Sequence, residues 1–116
     1  MNLAQAAATA AEDKLATDIV ALDVSGQFPL ADIFVLASVS NERQTASVVD
    51  GVEEALREVG SKPLRREGER DGRWVLLDFG DIIVHVQREQ ERLFYQLERL
   101  WKDCPVVPLR LDPDGQ

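Results

Sequence analysis

The sequence has few of the residues that build covalent or metal-stabilised folds. It contains one cysteine, Cys104, so no disulfide can form within the chain. Its one histidine, His85, has no neighbouring cysteines or histidines at the spacing of a zinc site. No apolar run approaches the roughly 20 residues that a membrane span needs, and the N-terminus lacks the features of a secretory signal. These absences predict a cytoplasmic protein without a membrane association.

Basic residues are also under-represented. The 116 residues include 13 basic and 21 acidic side chains, which gives a net charge of −8. Such a field repels phosphate backbones, so sequence-specific binding to nucleic acid is not expected, and a basic partner is favoured. Simple solubility is an equally good explanation of the charge.

The motifs of common enzyme classes are missing as well. There is no glycine-rich phosphate loop and no nucleophile elbow. Cys104 precedes a proline without an activating partner in the sequence. The acidic residues that stand out do not have the spacing of a metal ligand set; they are Asp23, Asp32, Asp78 and Asp81. We therefore predict no cofactor and no metal, and a binding function rather than an enzymatic one.

The order of hydrophobic patterns predicts one α/β (α+β) domain, with a mixed sheet of about five strands and helices packed against it. It spans residues 1–108, and residues 109–116 form an extended or disordered tail. The predicted elements are a helix at 3–16, strands at 18–26 and 31–39, a helix at 40–60, a short edge strand within 61–73, a hairpin at 74–87 and a helix at 89–104.

The helix at 40–60 carries the clearest local signals. Asn41 and Gln44 resemble a capping box at its start, with Ser40 as an alternative cap, and Gly60 is placed to end it. A buried stripe is predicted at Val49, Val52, Leu56 and Val59, with Glu53, Glu54, Arg57 and Glu58 off that stripe.

The segment Gly72–Val86 reads as a hairpin closed by Gly80 and Asp81. This turn pairs Phe79 with Ile82, Leu77 with Val84, and Val75 with Val86. One face is then uniformly apolar and belongs to the core. The other is mixed and is formed by Trp74, Leu76, Asp78, Ile83, His85 and Gln87.

The mixed face has two explanations. It suits a protein interface, where aromatic residues are enriched. Alternatively, a helix covers it and His85 is a structural histidine. In either case Asp78 lies diagonal to His85, within range of a hydrogen bond, while Asp81 sits in the turn, so the two aspartates do not converge on a metal.

Two further segments have alternative interpretations. The last helix is predicted to bury one stripe formed by Leu93, Leu97, Leu100 and Trp101, joined by Phe94. The loop before the hairpin could bind RNA phosphates or could be a solvated loop neutralised by its own acids; its basic residues are Lys62, Arg65, Arg66, Arg70 and Arg73.

Three stretches together resemble the ribosomal silencing factor family, RsfS, also called Iojap-like. They are ADIFVLASVSNERQ, RWVLLDFGDIIVHV and RLFYQLERLW. The resemblance implies a nucleotidyltransferase-like fold without that superfamily's catalytic acids. It also implies binding to the fourteenth protein of the large ribosomal subunit and steric blocking of subunit joining. Translation would thereby be repressed under nutrient limitation or in stationary phase.

The resemblance also suggests which residues bind the ribosomal protein. Trp74 and Tyr95 match interface positions of the family. Less certain roles fall to Asp78, His85, Arg92, Glu98 and Trp101, with Arg43 and Gln44 as secondary candidates for binding or capping. Family members are often dimeric when free, so a homodimer is a second expected assembly. The implied fold also leaves an alternative open, a metal-dependent nucleotidyltransferase-like enzyme.

Overall fold

The computed structural model describes residues 2–111. Its elements in chain order are α1 (Leu3–Asp13), β1 (Thr17–Asp23), β2 (Ile33–Val39), α2 (Glu42–Glu58), β3 (Arg65–Glu67), β4 (Trp74–Asp78), β5 (Ile82–Arg88), α3 (Glu89–Tyr95), α4 (Leu97–Leu100) and β6 (Val106–Val107). Within these residues the strands form one sheet in the order β3-β4-β5-β2-β1-β6. The β2–β5 pair is parallel and the other pairs are antiparallel. The α/β class is confirmed, but the sheet has six strands instead of about five.

The additional strand, β6, lies at the end of the predicted domain, just before the segment 109–116 predicted as an extended tail. Its two residues pair with Ala21 and Leu22 of β1. Beyond it, Arg110 and Gln5 of α1 exchange two hydrogen bonds, of 2.8 and 3.0 Å. A two-residue strand between prolines is too short to show an alternating pattern, which is why the sequence did not reveal it. Residues 112–116 of the predicted tail lie outside the described residues.

The sheet has a different helical layer on each face. On one side α1 and α2 cover the larger core, which includes Val35, Ala37, Val48, Val52 and Leu56. On the other side α3 and α4 cover a smaller cluster of Leu22, Val24, Ala31, Phe34, Leu36, Ile83, Leu97 and Cys104. None of the helices within residues 2–111 has both the length and the apolar character to cross a membrane.

The hairpin has the predicted register. Leu77 pairs with Val84, and Val75 pairs with Val86. The backbone N–H of Phe79 donates to the carbonyl of Ile82 over 2.9 Å. Gly80 has a φ of +91°, a conformation that glycine adopts without strain in a tight turn. The predicted apolar face is buried in the larger core, through Val75, Leu77, Phe79, Ile82, Val84 and Val86.

Helix α2 has the predicted caps. The Asn41 side chain accepts a hydrogen bond from the Gln44 backbone N–H over 2.8 Å, and the Gln44 side chain accepts one from the Ser40 backbone over 2.6 Å. Gly60, with a φ of +87°, follows the end of the helix. Glu53 was predicted to lie off the buried stripe, and this was wrong. It is 7% exposed and forms an ion pair with Arg66 of β3.

The prediction of one continuous helix at 89–104 was also wrong. The chain breaks at Gln96, whose φ of +46° and ψ of +59° are left-handed, so α3 and α4 are separate short helices. This break changes which side chains face the sheet. Leu97 is 7% exposed, whereas Leu93 and Leu100, predicted on the same buried stripe, are 72% and 71% exposed. Phe94, predicted to join that stripe, is 80% exposed.

Candidate functional site

Trp74 and Tyr95 come from different elements and are brought into contact. Trp74 begins β4 and Tyr95 ends α3, and their ring centroids lie 4.6 Å apart. Tyr95 is 45% exposed and Trp74 is half-buried, so both rings combine a packed part with an accessible part. Phe94 extends this aromatic surface, since its ring centroid lies 5.0 Å from that of Tyr95.

His85 lies beneath this surface and is 5% exposed. Its Nδ1 accepts a hydrogen bond of 3.1 Å from the indole Nε1–H of Trp74. Burial, and secondly the nearby positive charge of Arg92, lowers the pKa of His85 to about 4. The ring is therefore neutral near pH 7 and carries its proton on Nε2. Of the two interpretations of His85, the structural histidine is the one observed.

Asp78 does not bond to His85, contrary to the diagonal contact expected from the hairpin register. Its Oδ1 accepts the backbone N–H of Gly80 over 2.9 Å, which closes the turn. Its Oδ2 lies 3.7 Å from Nε of Arg65 on the neighbouring strand. His85 instead accepts the indole N–H of Trp74 at its Nδ1.

Arg92 and Glu98 join α3 to α4 and to the sheet. Arg92 is 7% exposed, and its Nη1 donates to the Ser38 hydroxyl of β2 over 2.8 Å. Its Nε and Nη2 both donate to the Glu98 carboxylate, over 2.8 to 3.1 Å. This hydrogen bonding lowers the pKa of Glu98, so the carboxylate is ionised at neutral pH. Arg92 thus faces inward and is not available for direct contact with a partner.

Trp101 is half-buried on the same side of the sheet. Its ring packs edge-on against Phe28 and Phe34, with centroid distances of 5.9 and 5.3 Å. Phe34 in turn contacts the ring of His85 at 4.8 Å. A chain of ring contacts therefore runs from the loop before β2, through the core, to the exposed tyrosine.

The helix break creates an exposed apolar area that the sequence analysis did not find. We call it the α3–α4 patch, formed by Leu93, Phe94, Tyr95 and Leu100. Leu93, Phe94 and Leu100 are each more than 70% exposed. Large apolar side chains that are exposed and close together in the chain are typical of sites that bind another protein. The one indication of this patch in the sequence is the density of large apolar residues. In a single continuous helix those residues were expected to be buried.

The secondary candidates lie elsewhere. Gln44 caps α2, and its side-chain Nε2 donates to the carbonyls of Lys14 and Leu15 over 3.2 and 2.9 Å. This places Gln44 against the end of α1, on the opposite side of the sheet from α3. Arg43 is exposed in the first turn of α2. Capping, one of the two roles considered for this pair, is what Gln44 performs.

Most of the basic residues before the hairpin have acidic partners. Arg65 forms an ion pair with Glu67 over 3.0 Å, and Arg73 lies 3.5 Å from Asp71. Arg66 is paired with Glu53. This pairing matches the expected neutralisation of a solvated loop by its own acidic residues.

In residues 2–111, no three or more His, Cys, Asp or Glu side chains are grouped as metal ligands would be. Cys104 is 7% exposed and packs within the smaller core cluster. A buried thiol in apolar surroundings is a structural residue rather than a nucleophile.

The chain is similar to known proteins over nearly its whole length. A family model described as "Ribosomal silencing factor during starvation" matches residues 1–115. The ribosomal silencing factor RsfS of Halalkalibacterium halodurans is 39% identical over 108 residues, which is 93% of this chain and 92% of that relative. The factor of the same name from Bacillus subtilis is 37% identical over 108 residues, with the same coverage of both chains.

Solved structures support the same assignment. The crystal structure of a Chromobacterium violaceum protein superposes with a TM-score of 0.83 at 34% identity, covering 86% of this chain and 83% of that one. The family predicted from the three sequence stretches is thus confirmed by sequence and by fold. The chain belongs to the ribosomal silencing factor family.

Proposed function

We propose that this protein represses translation by binding the large ribosomal subunit and blocking its association with the small subunit. The observation that carries the proposal is the α3–α4 patch. Membership of a family described as acting during starvation supplies the biological context, namely low nutrient supply. The expected place of action is the cytoplasm, where free subunits are found.

The direct contacts are assigned to accessible side chains of the patch and its border. Tyr95 and Phe94 offer large apolar areas, and the exposed part of Trp74 lies beside Tyr95. Aromatic anchors at the centre of an interface contribute on the order of 2 kcal/mol or more each. Leu93 and Leu100 extend the apolar area around them.

The remaining candidates are assigned positioning or peripheral roles. His85 holds the Trp74 indole, Arg92 and Glu98 hold the bend between the helices, and Trp101 supports the sheet beneath them. Asp78, half-buried at the end of β4, is assigned a peripheral role. We expect substitutions of the buried residues to weaken binding through the shape of the patch rather than through lost contacts.

The partner proposed is the fourteenth protein of the large subunit. A net charge of −8 favours association with a basic ribosomal protein through long-range attraction. The same apolar patch would be covered in a homodimer of the free protein. The dimer and the ribosome complex then compete for one surface. Dilution of the factor should raise the ratio of subunit complex to dimer.

We propose a binding function without catalysis. The supporting observation is that two acidic side chains near the hairpin have structural partners. Asp78 closes the turn, and Glu98 holds Arg92. Isothermal calorimetry with magnesium and nucleoside triphosphates tests this directly, because the enzymatic alternative requires both to bind.

Sedimentation with purified subunits tests the main proposal. The protein is mixed with isolated large subunits, isolated small subunits or joined ribosomes, and each mixture is centrifuged through a sucrose cushion. Co-sedimentation with the large subunit alone is expected, together with fewer joined ribosomes when both subunits are added after the factor. Equal recovery with all three particles, or no effect on joining, would contradict the proposal.

A further inference from the structure

A polar layer lies buried between the sheet and α3. It consists of Ser38 on β2, His85 and Gln87 on β5, and Arg92 on α3. All four are buried: the exposed fraction is 1% for Ser38, 5% for His85, 0% for Gln87 and 7% for Arg92. Ser38 is the direct neighbour of Gln87 across the β2–β5 pair. His85 and Gln87 point to the same face because they are two residues apart on one strand.

Three side-chain atoms of this layer have no hydrogen-bond partner among the described protein atoms. They are Nε2 of His85 and both Oε1 and Nε2 of Gln87. Buried polar groups in folded proteins are almost always hydrogen-bonded, and a solvent molecule is the usual partner when protein atoms are not.

The chemistry of these atoms selects the ligand. Trp74 donates to Nδ1 of His85, so Nε2 carries the proton and is a donor. Gln87 presents one acceptor and one donor group. A metal cation would be repelled by Arg92 and faced by two donors, and a halide would leave the Gln87 oxygen unpaired. Water both donates and accepts, so its chemistry matches all three atoms.

A route for solvent exists beside the layer. Arg92 also lines an open cavity of about 380 Å³, together with Asp18, Val20, Leu93 and Gln96. The cavity therefore borders the residue that contacts Ser38. We infer that the polar layer is an internal hydration site, in which at least one ordered water molecule bridges Gln87 and His85 beneath α3.

Oxygen-17 magnetic relaxation dispersion of the full chain tests this inference, because it counts water molecules that stay in a protein longer than surface water does. The wild type is expected to show at least one such water, and Gln87→Leu is expected to lose at least one. Gln27→Leu, at an exposed position, is the matched control and should keep the wild-type count. An unchanged count in Gln87→Leu would overturn the inference.

The sign of the change in melting temperature gives a second test. If water satisfies Gln87, the leucine variant melts at the same temperature as the wild type or lower. If the layer is dry, removing two unpaired polar atoms raises the melting temperature. Should the variant not fold, a high-resolution crystal structure of the wild type decides the matter. Density for water within hydrogen-bond distance of the Gln87 amide supports the site, and a layer without such density overturns it.

Discussion

The indole nitrogen of Trp74 donates a 3.1 Å hydrogen bond to Nδ1 of His85, so a partly exposed aromatic side chain is fixed by a buried one. The bond couples the outer surface of the hairpin to its interior. It also holds His85 in the tautomer whose second nitrogen, Nε2, is a buried donor.

Removing the acceptor of this bond should destabilise the protein. In His85→Leu the Trp74 N–H loses its partner, and we expect the free energy of unfolding to fall by about 1 to 3 kcal/mol. Trp74→Phe removes the donor, so in the double variant the two effects should not add. Urea unfolding followed by circular dichroism measures all three variants. Strict additivity would show that the hydrogen bond contributes nothing.

Stability should depend on pH through His85. The ordinary pKa of histidine is 6.5, and in the folded protein burial lowers the pKa of His85 to about 4. Between these values the unfolded chain binds a proton that the folded protein does not. The free energy of unfolding therefore falls as the pH decreases from about 6.5 to 4, by at most about 1.4 kcal/mol per pH unit. Denaturant titrations at several pH values measure this slope.

The control for this experiment is His85→Gln, which keeps an acceptor for Trp74 but cannot titrate. The carboxylates of this variant still titrate as in the wild type. Only the contribution of His85 to the pH dependence of stability is lost. The two pH profiles should diverge below about pH 6.5. Parallel profiles across the whole window would contradict the lowered pKa.

The bend between α3 and α4 should depend on Arg92. Arg92→Met leaves the Glu98 carboxylate and the Ser38 hydroxyl without their partner, and we expect a loss of on the order of 2 kcal/mol in the free energy of unfolding. Arg99→Met, at an exposed position of α4, should change stability by less than about 0.5 kcal/mol. Comparable losses of stability in Arg92→Met and Arg99→Met would indicate that the Arg92–Glu98 ion pair does not stabilise the bend.

Gln96 offers a test of the left-handed break. Its φ of +46° is disfavoured for residues with a side chain, so Gln96→Gly should stabilise the protein by roughly 1 kcal/mol. Gln96→Val should destabilise it, because a β-branched residue fits this conformation poorly. Thermal unfolding ranks the three proteins. A wild type more stable than the glycine variant would show that contacts of the Gln96 side chain outweigh the backbone strain.

Binding to large subunits should depend on the α3–α4 patch. Phe94→Ser and Tyr95→Ala each remove an aromatic anchor, and we expect about 30-fold weaker binding, or roughly 2 kcal/mol. The melting temperature should be unchanged in Phe94→Ser and slightly lower in Tyr95→Ala, which loses the packing of Tyr95 against Trp74. Leu15→Ser is the matched control, since Leu15 is 78% exposed but follows α1 on the other side of the sheet. Equal affinities of patch and control variants would place the interface elsewhere.

The features that the sequence predicted correctly follow from local rules. A Gly-Asp turn sets the hairpin register, and Asn41 with Gln44 sets the start of α2. The break at Gln96 is different, because no local signal marks a glutamine for a left-handed conformation. Contacts of Arg92 with Ser38, 54 residues earlier in the chain, accompany the break and lie beyond the reach of periodicity. Glu53 is a similar case, since its burial depends on Arg66 of a distant strand.

The candidate site, like the fold, was predicted only in part from the sequence. The mixed hairpin face was identified, with Trp74 beside His85, but two explanations of it remained open. In the structure His85 is covered, while Trp74 stays partly accessible and its role in an interface remains a proposal. The exposed patch itself was missed, since it exists only because the last helix is divided.

The two outer strands limit how this protein can assemble. One edge of the sheet is β3, whose three residues, Arg65, Arg66 and Glu67, are all charged and exposed. The other is β6, only two residues long and followed at once by Pro108. Neither edge offers a long apolar template for another strand, which protects the free protein from fibre-like aggregation. A partner is therefore expected to bind through side-chain surfaces, such as those on the helices. Binding of that kind is reversible.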